Sequence, residues 1–268
     1  MSTSATKPSA RAKTDEEVAL IAEASRIVSE TLAMLRGEVR PGMTTRRLDA
    51  MAEEFIRSQG AIPAFKGHEV HGQLFPATLC TSVGSAVVHG LPDDEELREG
   101  EIVSLDCGVK REGFYGDSAT TVAVGAVGEL EEKLMRVTRE ALDLGVEAAV
   151  AGNRVYDISR AVQRHVESNG FSIVRELVGH GIGRQLHEEP AIPNFVPSPF
   201  QRHQFRNTQL VDGMVICIEP MVNAGSHRVV TREDNWTVAT MDGQPSAHFE
   251  HTIVVREGAP QVLTAHRS

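Results

Sequence analysis

Four acidic side chains and one histidine are placed where ordinary surface residues are not expected. Asp106, Glu219 and Glu250 lie in or at the end of apolar runs, Asp117 follows in a second strand-like run, and His180 lies between glycines. A carboxylate in an apolar run is costly to bury unless a cation or a donor pairs with it. Carboxylate and imidazole groups are also common ligands of divalent metal ions. The five residues are therefore candidate metal ligands.

Asp106 and Asp117 fall on two predicted strands that a short turn connects. If Arg111 and Glu112 form the turn, the two aspartates lie directly opposite each other, with Cβ atoms about 4.5–5.5 Å apart. Like charges in this position are unfavourable unless something lies between them, and a divalent cation is the natural candidate. The alternatives are a longer loop with a different register, or two acids that face water.

The other candidates have simpler alternatives that residue types alone leave open. Glu219 and Glu250 could each form a salt bridge or face solvent at a sheet edge. The GHGIG segment around His180 lacks the Lys and Ser/Thr that follow a phosphate-binding loop. His89 and His187 lie beside turn residues and add one imidazole each. The chain has no HExxH and no GxSxG, which excludes a zincin helix and disfavours a nucleophile-elbow hydrolase.

Two pairs of helices are predicted from the spacing of apolar residues. The first begins at Thr14, which forms a capping box with Glu17, and the others span about 44–60, 130–150 and 153–170. Five positions of the second helix recur in the fourth at the same offset of 110 residues: Gly42 and Gly152, Leu48 and Ile158, Ala52 and Val162, Ile56 and Val166, Gly60 and Gly170. The recurrence indicates an internal duplication with halves of about 14–125 and 126–268.

Strands are predicted after each helix pair, as a duplication requires. Their ranges are 102–109, 114–122, 214–218, 236–241 and 247–255. The last two flank Asp242-Gly243, a dipeptide typical of hairpin turns. We expect the α+β class, with a flexible leader at 1–13 and one pseudo-twofold symmetric domain at 14–268, in which an antiparallel sheet is backed by two helix pairs.

Composition argues against several classes of protein. The 268 residues carry a formal net charge of −10, which argues against stable nucleic-acid binding. No apolar run approaches the ~18 residues of a membrane span, and the N-terminus lacks the apolar segment of a secretory signal. Three widely separated cysteines without a CxxC pair predict buried free thiols in a reducing cytoplasm.

Six segments together resemble the type I methionine aminopeptidases. They are VVHGLPDD, SLDCG, GFYGDSATT, GHGIGRQLHEEP, GMVICIEPMV and FEHTIVV, in this order. The resemblance extends from about residue 13 to residue 263. It implies the pita-bread fold, a pseudo-symmetric α+β domain, which agrees with the duplication. It also implies removal of the N-terminal methionine from nascent proteins, with a small second residue favoured.

The same resemblance assigns metal ligands. It implies two divalent metal ions that activate a water molecule for attack on the scissile carbonyl. Asp106 would chelate one ion, Asp117 and Glu250 would bridge both, and His180 and Glu219 would complete the second. A set of oxygens with one imidazole suits Mn, Fe or Co ions at least as well as Zn.

Catalytic and substrate-binding residues are also implied. Glu219 would carry the proton from the water to the leaving amine, His187 would stabilise the oxyanion, and His89 would hydrogen-bond the scissile amide. The predicted substrate-binding residues are His89, His187, Cys80, Phe75 and Trp236, of which the last three would line the methionine pocket. Further expectations are a monomer in the cytoplasm, away from membranes, with transient contact to the ribosome.

Two departures and two alternatives accompany the resemblance. The segment 68–74 is longer than in typical type I members, and 194–210 is expected to form a rim, so both bear on specificity. An Xaa-Pro peptidase shares the fold but usually carries an extra N-terminal domain. A pseudoenzyme that binds protein or RNA would have lost metal ligands, whereas all five remain. The 39 residues between His180 and Glu219 are too few for the helical insert of type II enzymes.

Overall fold

The computed structural model describes residues 11–70, 72–201 and 203–265. Its helices are α1 (Asp15–Glu38), α2 (Thr45–Ser58), α3 (Glu129–Ala148) and α4 (Val155–Ser168). The predicted capping box is formed, because the Thr14 hydroxyl accepts the Glu17 N–H while the Glu17 carboxylate accepts the Thr14 N–H. All four predicted helices are confirmed, with ends within about two residues of the predicted ones. None of these described helices has both the length and the apolar character to cross a membrane.

The strands are mostly short, and two long ones form the central hairpin. They are β1 (Ile62–Pro63), β2 (Glu69–Val70), β3 (Gln73–Leu74), β4 (Leu79–Val83), β5 (Ala86–Val88), β6 (Ile102–Arg111), β7 (Phe114–Ala123), β8 (Ser172–Ile173), β9 (Gly179–Gly181), β10 (Glu188–Ile192), β11 (Val215–Ile218), β12 (Met221–Asn223), β13 (Val229–Thr231), β14 (Val238–Thr240), β15 (Ser246–His248), β16 (His251–Val254) and β17 (Gln261–Val262). Every strand pair is antiparallel. The predicted α+β class with antiparallel sheets is therefore confirmed.

One predicted hairpin is wrong. The strands on either side of Asp242-Gly243 belong to different sheets, because β14 pairs with β13 and β5 whereas β15 pairs with β12. The Asp242 carboxylate instead accepts the Ser226 N–H at 2.6 Å. The turn dipeptide therefore redirects the chain from one sheet to the next.

The two helix pairs occupy corresponding positions in the two halves of the chain. α2 and α4 have the same length, and their bounds differ by the same 110 residues as the sequence match. Each preceding glycine has positive φ and donates its N–H to a distant leucine carbonyl: Gly42 to Leu97 and Gly152 to Leu210. These matches support the proposed duplication, and the bounds of its halves stay a prediction.

Two apolar cores lie behind the central strands. One packs α1 and α2 against one face of β6, where Val103, Leu105, Cys107 and Val109 are buried, as the alternation predicts. The other packs α3 and α4 against β11 and β16. Because side chains alternate along a strand, the opposite face of β6 carries Asp106 toward the middle of the molecule.

A seam of hydroxyl groups joins the two halves. The Thr252 hydroxyl donates to the Asp117 carbonyl at 2.7 Å and accepts the Asp117 N–H at 3.2 Å. The Ser118 hydroxyl donates to the Glu250 carbonyl at 2.6 Å, and the Thr121 hydroxyl links both backbone groups of His248. The seam, residues 117–121 against 248–252, thereby fixes the backbone on either side of two candidate metal ligands.

Three segments differ from expectation or bear on the site. The Lys13 N–H donates to the Gly213 carbonyl at 2.8 Å, so 11–13 is ordered against the domain and the predicted leader is corrected there; residues 1–10 lie outside the described residues. Within the predicted segment 68–74, Glu69–Val70 and Gln73–Leu74 pair as the small strands β2 and β3. In the segment 194–210, Asn207 accepts the Tyr156 N–H of α4, and none of the residues described at 194–201 and 203–210 lines the cavity described below.

Candidate active site and metal centre

The first two candidate ligands lie on the β6–β7 hairpin, in a register that differs from the predicted one. Its turn is Glu112-Gly113, both with positive φ, so Asp106 pairs with Ala119 and Asp117 pairs with Gly108. The two aspartates are therefore diagonal neighbours rather than direct partners. Because the register differs by two residues and side chains alternate with a period of two, both still lie on the same face.

Glu219 and Glu250 lie at a shared break in a longer two-stranded ribbon. On one side Ile218 pairs with His251, and on the other Met221 pairs with His248. Between these pairs the ladder is interrupted, and the Glu250 N–H donates to the Ala119 carbonyl of β7. The break places both glutamates at facing positions, next to the hairpin that carries the aspartates.

His180 completes the group from β9. Its Nδ1 lies 3.0 Å from the Gly181 carbonyl, so Nδ1–H donates and Nε2 keeps its lone pair. Nε2 lies 3.5 Å from a Glu219 oxygen and 3.9 Å from an Asp117 oxygen. The flanking glycines permit this, because a Cβ at Gly179 or Gly181 would collide with the backbone of a neighbouring strand.

The carboxylates form an arrangement that fits divalent cations. One oxygen each of Asp106, Asp117 and Glu250 lies within 4.8 Å of the others. Within the described part of the chain, Asp106 Oδ1, Asp117 Oδ1 and Glu250 Oε1 are buried and have no hydrogen-bond partner. Buried anionic oxygens without donors are unfavourable unless a cation meets them. The donor set, mostly oxygen with one imidazole, is the set that divalent first-row ions accept.

Burial raises the pKa of all four carboxyls, and repulsion from neighbouring acids adds to the shift for three of them. Burial raises the pKa of Asp106 from 3.8 to about 7. Burial and the nearby Glu250 raise that of Asp117, whereas burial and Asp106 raise that of Glu219. The pKa of Glu250 rises through burial and the charge of Glu219. Without a cation, these groups therefore favour their protonated forms.

The four acids and His180 lie at one end of a cavity of about 630 Å³. The predicted pocket residues Cys80, Phe75 and Trp236 line the same cavity. The rings of Phe75 and Trp236 meet edge to face with centroids 5.1 Å apart, and Cys80 pairs with Asp106 across β4 and β6. An apolar recess thus adjoins the carboxylates.

Both predicted catalytic histidines line this cavity. The His187 ring lies 4.4 Å from the His180 ring and 5.7 Å from that of His68. His89 has a positive φ of 58° directly after β5. Burial lowers its pKa, so its imidazole is neutral at pH 7. The structure therefore brings all predicted site residues together.

Several lining residues had no sequence signal that identified them. Phe65 stacks edge to face on Phe75 at 6.5 Å, and Leu177 and Leu186 add apolar surface. Their types are ordinary for core positions, so only tertiary packing shows that they face the cavity. His68 belongs to the segment 68–74 that the sequence analysis singled out, but its contact with His187 was not predicted.

Cys217 lies beside the candidate metal ligands as well. Its sulfur and the ligand atoms of His180 and Glu250 lie within 4.8 Å of one another. Burial, followed by the charge of Glu250, raises the pKa of the thiol well above its usual value. The neutral thiol lies 3.4 Å from the Thr252 hydroxyl, and all three cysteines are free and buried, as predicted.

Comparisons with known proteins agree with this geometry. The model of metallopeptidase family M24 matches residues 19–257. The chain is 50% identical over 252 residues to the methionine aminopeptidase of Clostridium perfringens, covering 94% of this chain and 97% of the relative. It is 46% identical over 252 residues to methionine aminopeptidase 1 of Bacillus subtilis, covering 94% and 98%.

Solved structures show the same similarity. The methionine aminopeptidase of Rickettsia prowazekii superposes with a TM-score of 0.89 at 35% identity, covering 95% of this chain and 99% of that chain. The methionine aminopeptidase of Thermotoga maritima superposes with a TM-score of 0.88 at 41% sequence identity, covering 95% of this chain and 98% of that chain. A prolidase from Pyrococcus furiosus gives 0.75 at 24% and is covered over only 66% of its length, a likeness that concerns the fold alone.

Proposed function

Because this chain belongs to metallopeptidase family M24, we propose that it removes N-terminal methionine with two divalent metal ions held by its buried acids. Methionyl aminopeptidase activity and dependence on divalent metal follow from its family and its relatives. The number of ions and the residues that hold them are the proposed part. The observation that carries it is the group of buried carboxylate oxygens without donors.

Five residues supply the proposed ligands. Asp106, Asp117 and Glu250 would hold the ions together with His180 and Glu219. When bound, the ions acidify a water molecule and polarise the scissile carbonyl. The hairpin register, the ribbon break and the Nδ1 hydrogen bond of His180 support this assignment, because they aim all five groups at one space.

Three residues act on the substrate in this proposal. Glu219 would accept the proton of the attacking water and transfer it to the leaving amine. His187 donates a hydrogen bond to the oxygen that becomes negative during attack. His89, neutral and open to the cavity, bonds the scissile amide and orients it.

The cavity supports a preference for methionine followed by a small residue. Phe75 and Trp236 offer an edge-to-face aromatic wall with Cys80 beside it, and sulfur makes favourable contacts with aromatic rings. The histidines that line the same cavity would limit the size of the second residue in this proposal. We propose Gly, Ala or Ser as the second residue, on nascent chains in the cytoplasm, with an enzyme that is monomeric and contacts the ribosome transiently.

Replacing Glu219 tests the mechanism. Glu219→Gln keeps the size of the side chain but removes its capacity to accept a proton, so kcat on a Met-Ala-Ser peptide should fall at least about 100-fold. Thermal unfolding and metal content should show that the variant is folded and loaded. A folded, metal-loaded variant with native kcat would contradict the assigned role.

A peptide panel separates the alternatives. Methionine at the first position, combined with Gly, Ala, Ser, Leu or Pro at the second, should be cleaved only when the second residue is small. Preferential cleavage of Xaa-Pro peptides would favour the related Xaa-Pro activity. A protein that binds no Mn²⁺ or Co²⁺ and cleaves nothing would favour a pseudoenzyme, and metal analysis also counts the ions per chain.

A further inference from the structure

The carboxylate of Glu188, the residue after His187, is buried and has two partners. Its Oε2 lies 2.5 Å from the Lys13 ammonium, and the two side chains are only 6% and 4% exposed. Its Oε1 accepts the Gln185 N–H at 3.1 Å. The Glu188 carboxylate thus closes the short turn that contains His187. It also forms a buried ion pair with the Lys13 ammonium.

Lys13 reaches this turn from the other end of the sequence. Its backbone N–H donates to the Gly213 carbonyl, which fixes the segment beside the site. Its side chain passes over Gly183, where an added Cβ would lie 2.8 Å from Lys13 Cε and 2.8 Å from Glu188 Oε1. The ion pair is therefore packed against the backbone of the turn and has little freedom to reorganise.

We propose that Lys13 is a positioning residue that keeps the His187 imidazole aligned for catalysis. Removing one partner of a buried ion pair leaves the other charge uncompensated. Glu188 would then turn toward water, and the Gln185 N–H would lose its acceptor. His187 would move with the loosened turn. The inference rests on the proposed role of His187 in the reaction.

The test uses the full-length protein with Lys13→Met, a substitution of similar length without charge. The kcat on Met-Ala-Ser should fall about tenfold or more, because small displacements of a catalytic group are costly. Mn²⁺ affinity should stay unchanged, and KM should change much less than kcat. Arg11→Met is the matched control, because Arg11 forms an exposed ion pair with Glu17 in the same segment and its loss should leave kcat unchanged.

Double variants separate positioning from simple stability. Glu188→Gln keeps an oxygen that accepts the Gln185 N–H but carries no charge, so adding it to Lys13→Met should restore most of kcat. It also provides a folded protein if Lys13→Met alone does not fold. In a His187→Ala background, Lys13→Met should lower kcat no further, whereas an effect that does not pass through His187 would add.

The outcomes distinguish this inference from the proposed function. If His187→Ala lowers kcat and Lys13→Met does not, the positioning role is overturned and the function stands. If His187→Ala leaves kcat unchanged, the proposed role of His187 fails and the inference fails with it. Additive losses in the double variant would also overturn the inference.

Discussion

Four carboxyl groups that share one buried space make the metal-free site sensitive to pH. Each has its pKa raised by burial first and, for three of them, by neighbouring acids second. A group whose pKa is higher in the folded than in the unfolded state stabilises the fold at low pH and loses that contribution as pH rises through the folded pKa. For Asp106 the loss runs from its ordinary pKa of 3.8 up to about 7, and the other three carboxyls, whose pKa is raised well above the ordinary value, add to it.

The metal-free protein should therefore become less stable between pH 6.5 and about 8. This pH range avoids the titration of His248, because burial lowers the pKa of His248 from 6.5 to about 3. Below pH 6.5, His248 makes the fold more stable as pH rises, which would oppose the effect of the carboxyls. The free energy of unfolding should fall by on the order of a few kcal/mol across the window. Urea unfolding at several pH values measures it.

Saturating Mn²⁺ should flatten this dependence, because the cation stabilises the deprotonated carboxylates. Asp106→Asn and Asp117→Asn together should flatten it without metal, since two of the titrating groups are gone. Parallel pH profiles for the metal-free and Mn²⁺-loaded wild type would contradict the coupling between the carboxyls and the cation.

At the scale of elements, the C-terminal segment stabilises the seam. Thr264 is fully buried, and its hydroxyl accepts the Thr252 N–H at 3.1 Å and lies 2.9 Å from His251 Nδ1. Thr252 in turn bonds both backbone groups of Asp117. A residue near the end of the chain thereby helps to hold a candidate metal ligand through one intermediate.

Thr264→Val should weaken both the fold and metal binding. Valine has nearly the same shape but leaves a buried N–H without an acceptor, at a cost of about 1–3 kcal/mol. Urea unfolding should show this loss, and calorimetric titration should show lower Mn²⁺ affinity. Thr264→Ser, which keeps the hydroxyl, is the control. Native metal affinity in the valine variant would show that the segment does not act on the site.

The helices could be predicted from sequence, whereas the strand pairing could be predicted only in part. Helix ends depend on local signals such as the Thr14 capping box and the glycine before α2, so the predicted helix positions are confirmed. The hairpin register depended on Glu112 adopting a positive φ, which its residue type does not indicate. The strands on either side of Asp242-Gly243 pair with strands that are distant in sequence, β14 with β5 and β15 with β12, and the local sequence does not indicate these partners.

In the site, too, contacts between residues that are far apart in sequence could not be predicted. The family motifs led to the predicted ligands, and the pita-bread fold that they implied is confirmed by the similarity to solved methionine aminopeptidases. Lys13 and Glu188, in contrast, are 175 residues apart, and neither residue type suggests a buried pair. Contacts of this kind appear only when the whole chain is folded.

For the whole molecule, the proposed metal centre is a link between its two halves. Asp106 and Asp117 lie before α3 in the chain, in the first of the two predicted halves, and His180, Glu219 and Glu250 lie after it, in the second. The hydroxyl seam and the hydrogen bond from the Glu250 N–H to the Ala119 carbonyl join the two sets of residues at this point. Ions bound to both sets of ligands would therefore stabilise the junction more than either helix pair.

Removing the metal should loosen the molecule along the seam first. Ligand binding stabilises a protein by about 2.7 kcal/mol at a hundredfold excess over Kd, so a chelator should lower the melting temperature, and added Mn²⁺ should restore it. Hydrogen exchange should accelerate most for amides at 117–121 and 248–252, whereas α2 and α4 should change little because their cores do not include the ligands. A uniform acceleration over the whole chain would instead indicate that the ions act on global unfolding alone and do not link the halves locally.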